Sequence, residues 1–366
     1  MTPEPKAIAA QFAIEGRVIA IELFDGGHIN DSYRVTYERK GRSSHFFLQR
    51  VNDTAFPEPA RVMENIRRVT DHIAQKLKSL GVADVNRRVL TLMQTHEGRA
   101  YCRDHNGSYW RLYRFIESVP TCRAVETPEQ AEQAAHAFGT FQGFLADLPG
   151  PRLHVTIPDF HNTPSRFMQL ELAKEVDHCG RTAEARREIE FAFQHRDLAS
   201  ALLDSHQAGD IPERVVHNDA KLSNVLFDAQ SGDALCVVDL DTVMPGLASY
   251  DFGDMVRSMT CTAPEDETEL SRVEVRMPLF AALARGYLNA TSDFLTPGER
   301  AHLVTAGKVI VLEQGVRFLA DFLRGDTNYR TRRPNHNLDR CRTQFKLLES
   351  IIQHESRMVR IVERLM

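Results

Sequence analysis

Hydrophobic positions in the first third of the chain fall in short runs that read as strands. Arg17 to Phe24 is a β-rich apolar run, and Ser32 to Tyr37 alternates apolar with polar residues, the period of a half-buried strand. A polar hairpin turn from Tyr37 to Ser44 separates it from His45 to Val51, which returns. Pro59 to Leu80 switches period: Val62, Ile66, Val69 and Ile73 mark one face of a helix. Two further strands are expected at Arg88 to Gln94 and Tyr109 to Ile116.

From there the period is mainly helical. Thr127 followed by Pro128 is a helix start, with a capping side chain ahead of a proline at the first helical position. That helix is expected to run to Leu148. A stretch from Ser165 to Gln207 reads as two helices, and Leu270 to Leu288, Pro297 to Arg324 and Leu338 to Met366 as three more. The pattern predicts an α+β chain with a β-rich first part, residues 1–116, and a mainly helical second part, residues 117–366, with Glu117 to Pro120 as the boundary. At 366 residues the chain exceeds one typical core, so two domains are expected.

Composition narrows the class. The chain is 42% hydrophobic and 26% charged, ordinary for a globular protein, and no apolar run reaches the length of a membrane span. The N-terminus shows no signal-peptide pattern. A net charge of −5 argues against a nucleic-acid binder that works through a basic surface. Six scattered cysteines without a C-x-x-C pair read as reduced thiols in a cytoplasmic protein.

The chemistry concentrates in the second part. His217-Asn218-Asp219-Ala220-Lys221-Leu222-Ser223-Asn224 is followed by the apolar run Leu235 to Val238 and then Asp239-Leu240-Asp241. A kinase catalytic loop has this spacing: an Asp accepts the proton of the attacking hydroxyl, an Asn five residues on holds magnesium, and an Asp after a later strand holds metal against the ATP phosphates. Asp219 is therefore the candidate base, Asn224 and Asp239 candidate Mg2+ ligands, and Asp241 either a further ligand or a residue that orients the loop. Lys221 is placed to neutralise the moving phosphate, and His217 to orient the loop. A loop that merely caps itself with these residues is the bland alternative, and the strand-borne Asp239 weighs against it. Asp251-Phe252-Gly253 spells a kinase metal motif but lies beyond that strand. Asp251 and Asp254 are read instead as capping a helix that starts near Met255.

In the first part, Gly26 and Gly27 between two strands form a candidate phosphate-covering loop, against the alternative of a plain hairpin turn. Arg50 ends the third strand, where a kinase places a basic residue on the phosphates, with Glu64 on the next helix as its expected partner. There is no P-loop or Rossmann signature.

These residues resemble the aminoglycoside phosphotransferase/choline kinase family, a branch of the protein-kinase-like fold. The resemblance is carried by Gly27, Asn30, Tyr33 and Val35, by the His217 to Asn224 loop, and by Val237 to Asp241. A narrower similarity, to the N-acetylhexosamine 1-kinases, rests on the strings Gly27 to Tyr33, Phe47 to Asn52, Val62 to Ile66, Asp239 to Gly246, Tyr250 to Asp254 and Glu313 to Asp326. It implies two lobes, ATP in the cleft against Gly26, Gly27, Asn30, Arg50 and Glu64, and adenine near Arg114, Phe115 and Ile116. It also implies phosphate transfer to the anomeric hydroxyl of N-acetylglucosamine or N-acetylgalactosamine, bound by Asp219, Arg317, Asp321 and Asp326. Two positions depart from the pattern: Arg50 stands where the family often has Lys, and Ala220 where the narrower group usually has Thr.

Other acceptors follow the same chemistry: a different sugar, choline, homoserine or an aminoglycoside. A choline site calls for aromatic faces, and the only Trp, Trp110, falls in the first part. An aminoglycoside site calls for an acidic cluster, of which Glu265-Asp266-Glu267 is the nearest instance. A nucleotide-binding pseudokinase is the reading from another class, and it predicts a lost base or metal ligand. No nucleic-acid or membrane partner is expected, and the chain is expected to be a monomer or weak dimer.

Overall fold

The expected alternation does build a sheet. The computed structural model describes residues 3–24, 29–119 and 124–365 and divides into two compact units. Unit 1 comprises Met1–Pro120, Asp147–Pro158 and Leu226–Met244. Unit 2 comprises Thr121–Ala146, Asp159–Val225 and Pro245–Met366. A single cut at residues 116/117 was expected. The compact units interleave instead, because two later segments return to the first.

Unit 1 holds β1 (Arg17–Leu23), β2 (Asp31–Arg39), β3 (Arg42–Arg50), β4 (Cys102–Arg103) and β5 (Tyr109–Arg114) in one antiparallel sheet of order β1-β2-β3-β5-β4. The short helix α1 (Pro3–Ala9) closes over it, with Ile8 and Phe12 packed on Val35, Tyr37, Phe46, Leu48 and Leu112. Trp110 lies in this core, its indole N–H donating to Asp104 over 2.8 Å. The expected strand Arg88 to Gln94 is not formed. Residues Val85–Arg88 make a turn of helix, α3, and the following segment only touches β5, through the bridge Leu92–Tyr113 and the bonds Met93 N to Leu112 O and Arg114 N to Thr91 O.

Helix α2 (Pro59–Ser79) carries the apolar stripe expected of it. Its buried Asn65 explains why the later segments belong to unit 1. The Asn65 amide N–H2 donates to the carbonyls of His154 and Val243 at 2.8 and 3.1 Å, and its oxygen accepts from the His154 N–H. A second apolar cluster joins Ile116, Leu90 and Val119 to Leu226, Leu235, Cys236 and Val238. Asp239 and Asp241 are thereby part of unit 1.

Unit 2 is helical: α4 (Pro128–Leu145), α5 (Thr163–Val176), α6 (Arg186–Gln194), α7 (Ala201–Gln207), α8 (Ala248–Met259), α9 (Met277–Thr291), α10 (Pro297–Ala301), α11 (Leu303–Leu323) and α12 (His336–Leu365). Thr127 caps α4 as expected, its hydroxyl accepting the Gln130 N–H. The stretch from 165 to 207 holds three helices, not two: α5 ends in left-handed Asp177 with Gly180 beyond it, and a tighter 3-10 turn at Arg196–Leu198 separates α6 from α7. α11 is buried along nearly its whole length, including Lys308, Glu313 and Asp321, so its charged side chains need partners inside the unit. α8 crosses it at Gly253, where a Cβ would stand 2.5 Å from the Ala306 carbonyl oxygen.

None of the five described cysteines is in a disulfide, and the buried Cys236 thiol is pushed up to about 12. No described helix is long and apolar enough to cross a membrane.

Candidate functional site

The loop after the short strand Arg214–Val216 is fixed from several sides within unit 2. Asp251, in the first turn of α8 and fully buried, accepts the backbone N–H of His217 at 2.9 Å and of Asn218 at 2.7 Å. Gln142 of α4 donates a third hydrogen bond to that carboxylate at 2.7 Å, and Tyr287 of α9 donates to Gln142 in turn. Asp251 is therefore structural, but not as the cap of a helix near Met255. α8 begins at Ala248, and the carboxylate serves the loop. Burial pushes the Asp251 pKa up, opposed by His217 and by the two N–H donors.

His217 is buried against Phe138 and Phe141, and its Nδ1 accepts the Asp219 N–H over 3.2 Å. Held by that contact and by the two rings, His217 orients the loop. Asn218 sits at φ 64°, a conformation that costs a non-glycine residue about 1 kcal/mol or more. The tethers on both its neighbours hold that strain.

Asp219 emerges from this frame half-buried, its side chain 26% exposed. Its Oδ2 accepts from Lys221 Nζ at 2.7 Å and from Asn224 Nδ2 at 2.9 Å, and its carbonyl accepts from the same Asn224 amide at 2.8 Å. Burial raises the Asp219 pKa, but Lys221, His217 and Asn224 outweigh it and leave the carboxyl below its ordinary value. Asp219, Lys221 and Asn224 are thus brought together as the sequence expected.

Next to the loop lies a half-buried patch of aromatic, amide and guanidinium groups. The guanidinium of Arg317 stands 5.3 Å from the Phe160 ring centroid and 5.9 Å from that of Tyr329, and donates to Gln314. Arg166 donates to the Phe160 carbonyl and to Gln169. Burial pulls the Arg166 pKa down, and the like charge of Arg317 adds to the shift. Asp321 and Asp326, expected as substrate contacts, do not join this patch. Asp321 is buried and accepts the backbone N–H groups of Thr327, Asn328 and Tyr329, while Asn337 reaches its second oxygen. Asp326 is held by Arg181 and Asn337. Both carboxylates are spent on folding the loop that presents Tyr329.

In unit 1, Asp239 is exposed and left-handed, φ 62°. Asp241 is buried, and its role is legible from its partners. Arg111 of β5, itself 1% exposed, grips Asp241 with two nitrogens, and Asn30 donates to Oδ2 of Asp241 at 2.7 Å. Gln49 accepts from Arg111 Nε at 3.0 Å and donates to Ser32, and Asn30 accepts the Asn52 N–H. Burial would lower the Arg111 pKa, but Asp241 overrides it and holds it above the ordinary value. Sequence reading missed Arg111. An Arg inside the apolar strand Tyr-Trp-Arg-Leu-Tyr was the available signal, since such a charge requires a buried partner.

One nucleotide-side expectation changes. Arg50 does not pair with Glu64: its Nε donates to Asp31 at 2.8 Å, across the β2–β3 ladder, while Glu64 meets His154 at 3.0 Å. The backbone N–H groups of Arg114 and Phe115 are taken by the carbonyls of Thr91 and His45, and Ile116 is buried in the apolar cluster. Gly26 and Gly27 lie outside the described residues, flanked by the exposed Leu23, Phe24 and Ile29. A depression of about 690 Å³ beside α1, lined by Lys6, Phe12, Arg17, Tyr37 and His96, contains none of these groups.

A model of the phosphotransferase enzyme family matches residues 20–301. The chain belongs to that family. Solved structures of similar fold include an aminoglycoside phosphotransferase from Alicyclobacillus acidocaldarius (14% identity, TM-score 0.58, covering 100% of this chain and 98% of that one). A microcompartment-associated aminopropanol kinase aligns at 14% identity and TM-score 0.56, over 97% of each chain. A spectinomycin phosphotransferase, solved with ADP and spectinomycin, aligns at 13% identity and TM-score 0.51, over 96% of this chain and 94% of that one. This phosphotransferase therefore has the α+β, kinase-like fold expected from its sequence and transfers phosphate to a small molecule.

Proposed function

We propose that this phosphotransferase moves the γ-phosphoryl group of ATP to the anomeric hydroxyl of an N-acetylhexosamine, N-acetylglucosamine or N-acetylgalactosamine. The observation that supports this reading is a patch joined to the Asp219 loop through His161, which meets both the Phe160 ring and the Asn218 carbonyl. Phe160 and Tyr329 offer apolar faces for the C–H side of a sugar, and Arg317, Gln314 and Gln169 offer donors and acceptors for its hydroxyls and acetamido group. The same patch disfavours the acceptors of the amine class. An aminoglycoside, choline or ethanolamine would bring a cation toward Arg166 and Arg317, and like charges repel.

In the reaction a bond forms between the anomeric oxygen and the γ-phosphorus, and the bond from that phosphorus to the β–γ bridging oxygen breaks. The hydroxyl proton passes to the Asp219 carboxylate, and ADP leaves. Asp219 is ionised at neutral pH and a weak base, which suffices because phosphoryl transfer depends mainly on positioning and charge neutralisation. Lys221, 2.7 Å from Asp219, neutralises the phosphate in transit. Magnesium would be held by the amide oxygen of Asn224 and the carboxylate of Asp239, and supplies charge neutralisation on the phosphates when bound. An amide and an exposed carboxylate fit a hard cation that takes its other ligands from phosphate and water. Asp241 positions instead: its charge is committed to Arg111 and Asn30. We assign the nucleotide to unit 1 and the acceptor to unit 2.

A coupled ADP-release assay across N-acetylglucosamine, N-acetylgalactosamine, glucose, galactose, choline, homoserine and kanamycin tests this. Turnover with the N-acetyl sugars and none with their 1-O-methyl glycosides is expected. Turnover only with kanamycin or choline would overturn the acceptor and the charge argument with it.

A further inference from the structure

The carbonyl of Asn218, directly before Asp219, is held by a ring whose two nitrogens both face acceptors. His161 Nδ1 lies 2.9 Å from Oε1 of Glu313, and Nε2 lies 3.0 Å from the Asn218 carbonyl oxygen. A neutral imidazole has one N–H and one lone pair. In either neutral tautomer one of these contacts sets lone pair against lone pair. A protonated Glu313 would relieve one of them, but its surroundings favour the carboxylate. Thr163 donates to Oε2 at 2.7 Å, and the Arg317 guanidinium stands 3.9 Å from Oε1. The His161 and Glu313 side chains are 6% and 2% exposed, so water does not offset a mismatched contact.

We infer that His161 is held as the imidazolium ion and that its second N–H pins the Asn218 carbonyl, making His161 a positioning residue for Asp219. Asn218 is left-handed, so its peptide units need restraint on both sides. Asp251 ties the amide side and His161 the carbonyl side. Glu313 and Arg317 face the ring from α11. Tyr250 of α8 lies 4.8 Å away, and Phe160, also at 4.8 Å, comes from the same segment as His161. Burial pulls the imidazole pKa down, but the charge and hydrogen bond of Glu313 and the Asn218 carbonyl outweigh it, against Arg317, and leave it above its ordinary value. Burial pushes the Tyr250 phenol up, so it stays neutral.

The catalytic consequence rests on Asp219 acting as base; the charge on His161 does not. Two measurements separate them. In protein labelled with 15N-histidine, the His161 signals are assigned from their loss in His161→Gln or, should that variant not fold, from their shift in Glu313→Gln. Both ring nitrogens are expected in the protonated range at neutral pH. A neutral-tautomer pair of shifts overturns the inference, whether or not any acceptor is turned over. The second measurement is the pH profile of kcat from ADP release. Wild-type turnover is expected to fall on the alkaline side as the ring loses its proton. Glu313→Gln should move that fall to lower pH. His161→Gln should lower kcat about 10- to 100-fold and abolish the alkaline fall, with KM for ATP changing less than kcat. An unmoved profile in Glu313→Gln, or wild-type turnover in a folded His161→Gln, overturns the positioning role.

Discussion

At the scale of single residues, the site is a set of charges each assigned one task by its partners. Asp219 meets Lys221 and Asn224 and remains partly open, which suits a group that must reach a substrate. Asp219→Asn keeps the shape and the Asn224 contact but removes the base. It is expected to bind ATP as wild type does, by calorimetry, and to lose about 100- to 10,000-fold in kcat. Asp241 is the opposite case, enclosed with Arg111. Removing one member of a buried pair leaves an uncompensated charge, so Arg111→Met should cost about 3–5 kcal/mol in urea unfolding, and adding Asp241→Leu should recover part of it. A double variant no more stable than the single would show that the pair is not the source of the loss. The His161–Glu313 pair also makes stability depend on pH. The His161 value lies above the ordinary 6.5, so its contribution is complete below that value and is lost as pH rises through the folded-state value. Glu313 lies below the ordinary 4.5, so its contribution is complete above that value and is lost as pH falls through the folded-state value. The urea-midpoint difference between wild type and Glu313→Gln should therefore be largest between those limits and shrink on both sides.

Among elements, α8 does two things at once. Its first turn carries Asp251, which fixes the backbone of residues 217 and 218, and its middle carries Gly253, which lets it approach α11. The motif-like string Asp251-Phe252-Gly253 thus reads as one carboxylate for the loop and one glycine for the crossing. Gly253→Ala forces a Cβ against the Ala306 carbonyl, 2.5 Å away, and overpacking of that kind costs about 1–3 kcal/mol. Thermal unfolding is expected to show the loss together with reduced kcat, because the helix that shifts is the one that holds the loop. A stable variant of full activity would mean that the crossing relaxes without moving Asp251. The elements easiest to read in advance were those with a local cause. α2 has its apolar stripe, α4 its Thr-Pro start, and β1 to β3 their alternation. The segment from Arg88 to Gln94 has a strand's composition but lacks a continuous partner beside β5, so it makes isolated bonds and no ladder.

For the whole molecule, the interleaving of the two units matters most. Asn65 of α2 bonds to His154 and Val243, and Leu90 and Ile116 pack against residues between Leu226 and Val238. A fragment of residues 1–120 would therefore leave an apolar face and a buried amide without partners. It is expected to be aggregated or to lack a cooperative thermal transition, by size-exclusion chromatography and circular dichroism. A monomeric fragment with a sharp transition would show that the returning segments decorate unit 1 and do not complete it.

The sequence by itself determined what is local or fixed by spacing. The strand and helix periods, the cap at Thr127, and the separation of Asp219, Asn224 and Asp239 all follow from residues close together in the chain, where geometry is set by backbone repeat. The family model that matches residues 20–301 reads that same sequence. Tertiary structure alone decided which charges are spent inside the fold. Asp321 and Asp326 carry the same carboxylate as Asp219, yet folding surrounds them with N–H donors, and Arg50 pairs with Asp31 while Arg111, given no role by the sequence, holds Asp241. Partners such as Arg111 and Asp241, or His161 and Glu313, stand more than a hundred residues apart. No period or spacing connects them. Only the packing that excludes water from each pair fixes the partner, the charge and the task.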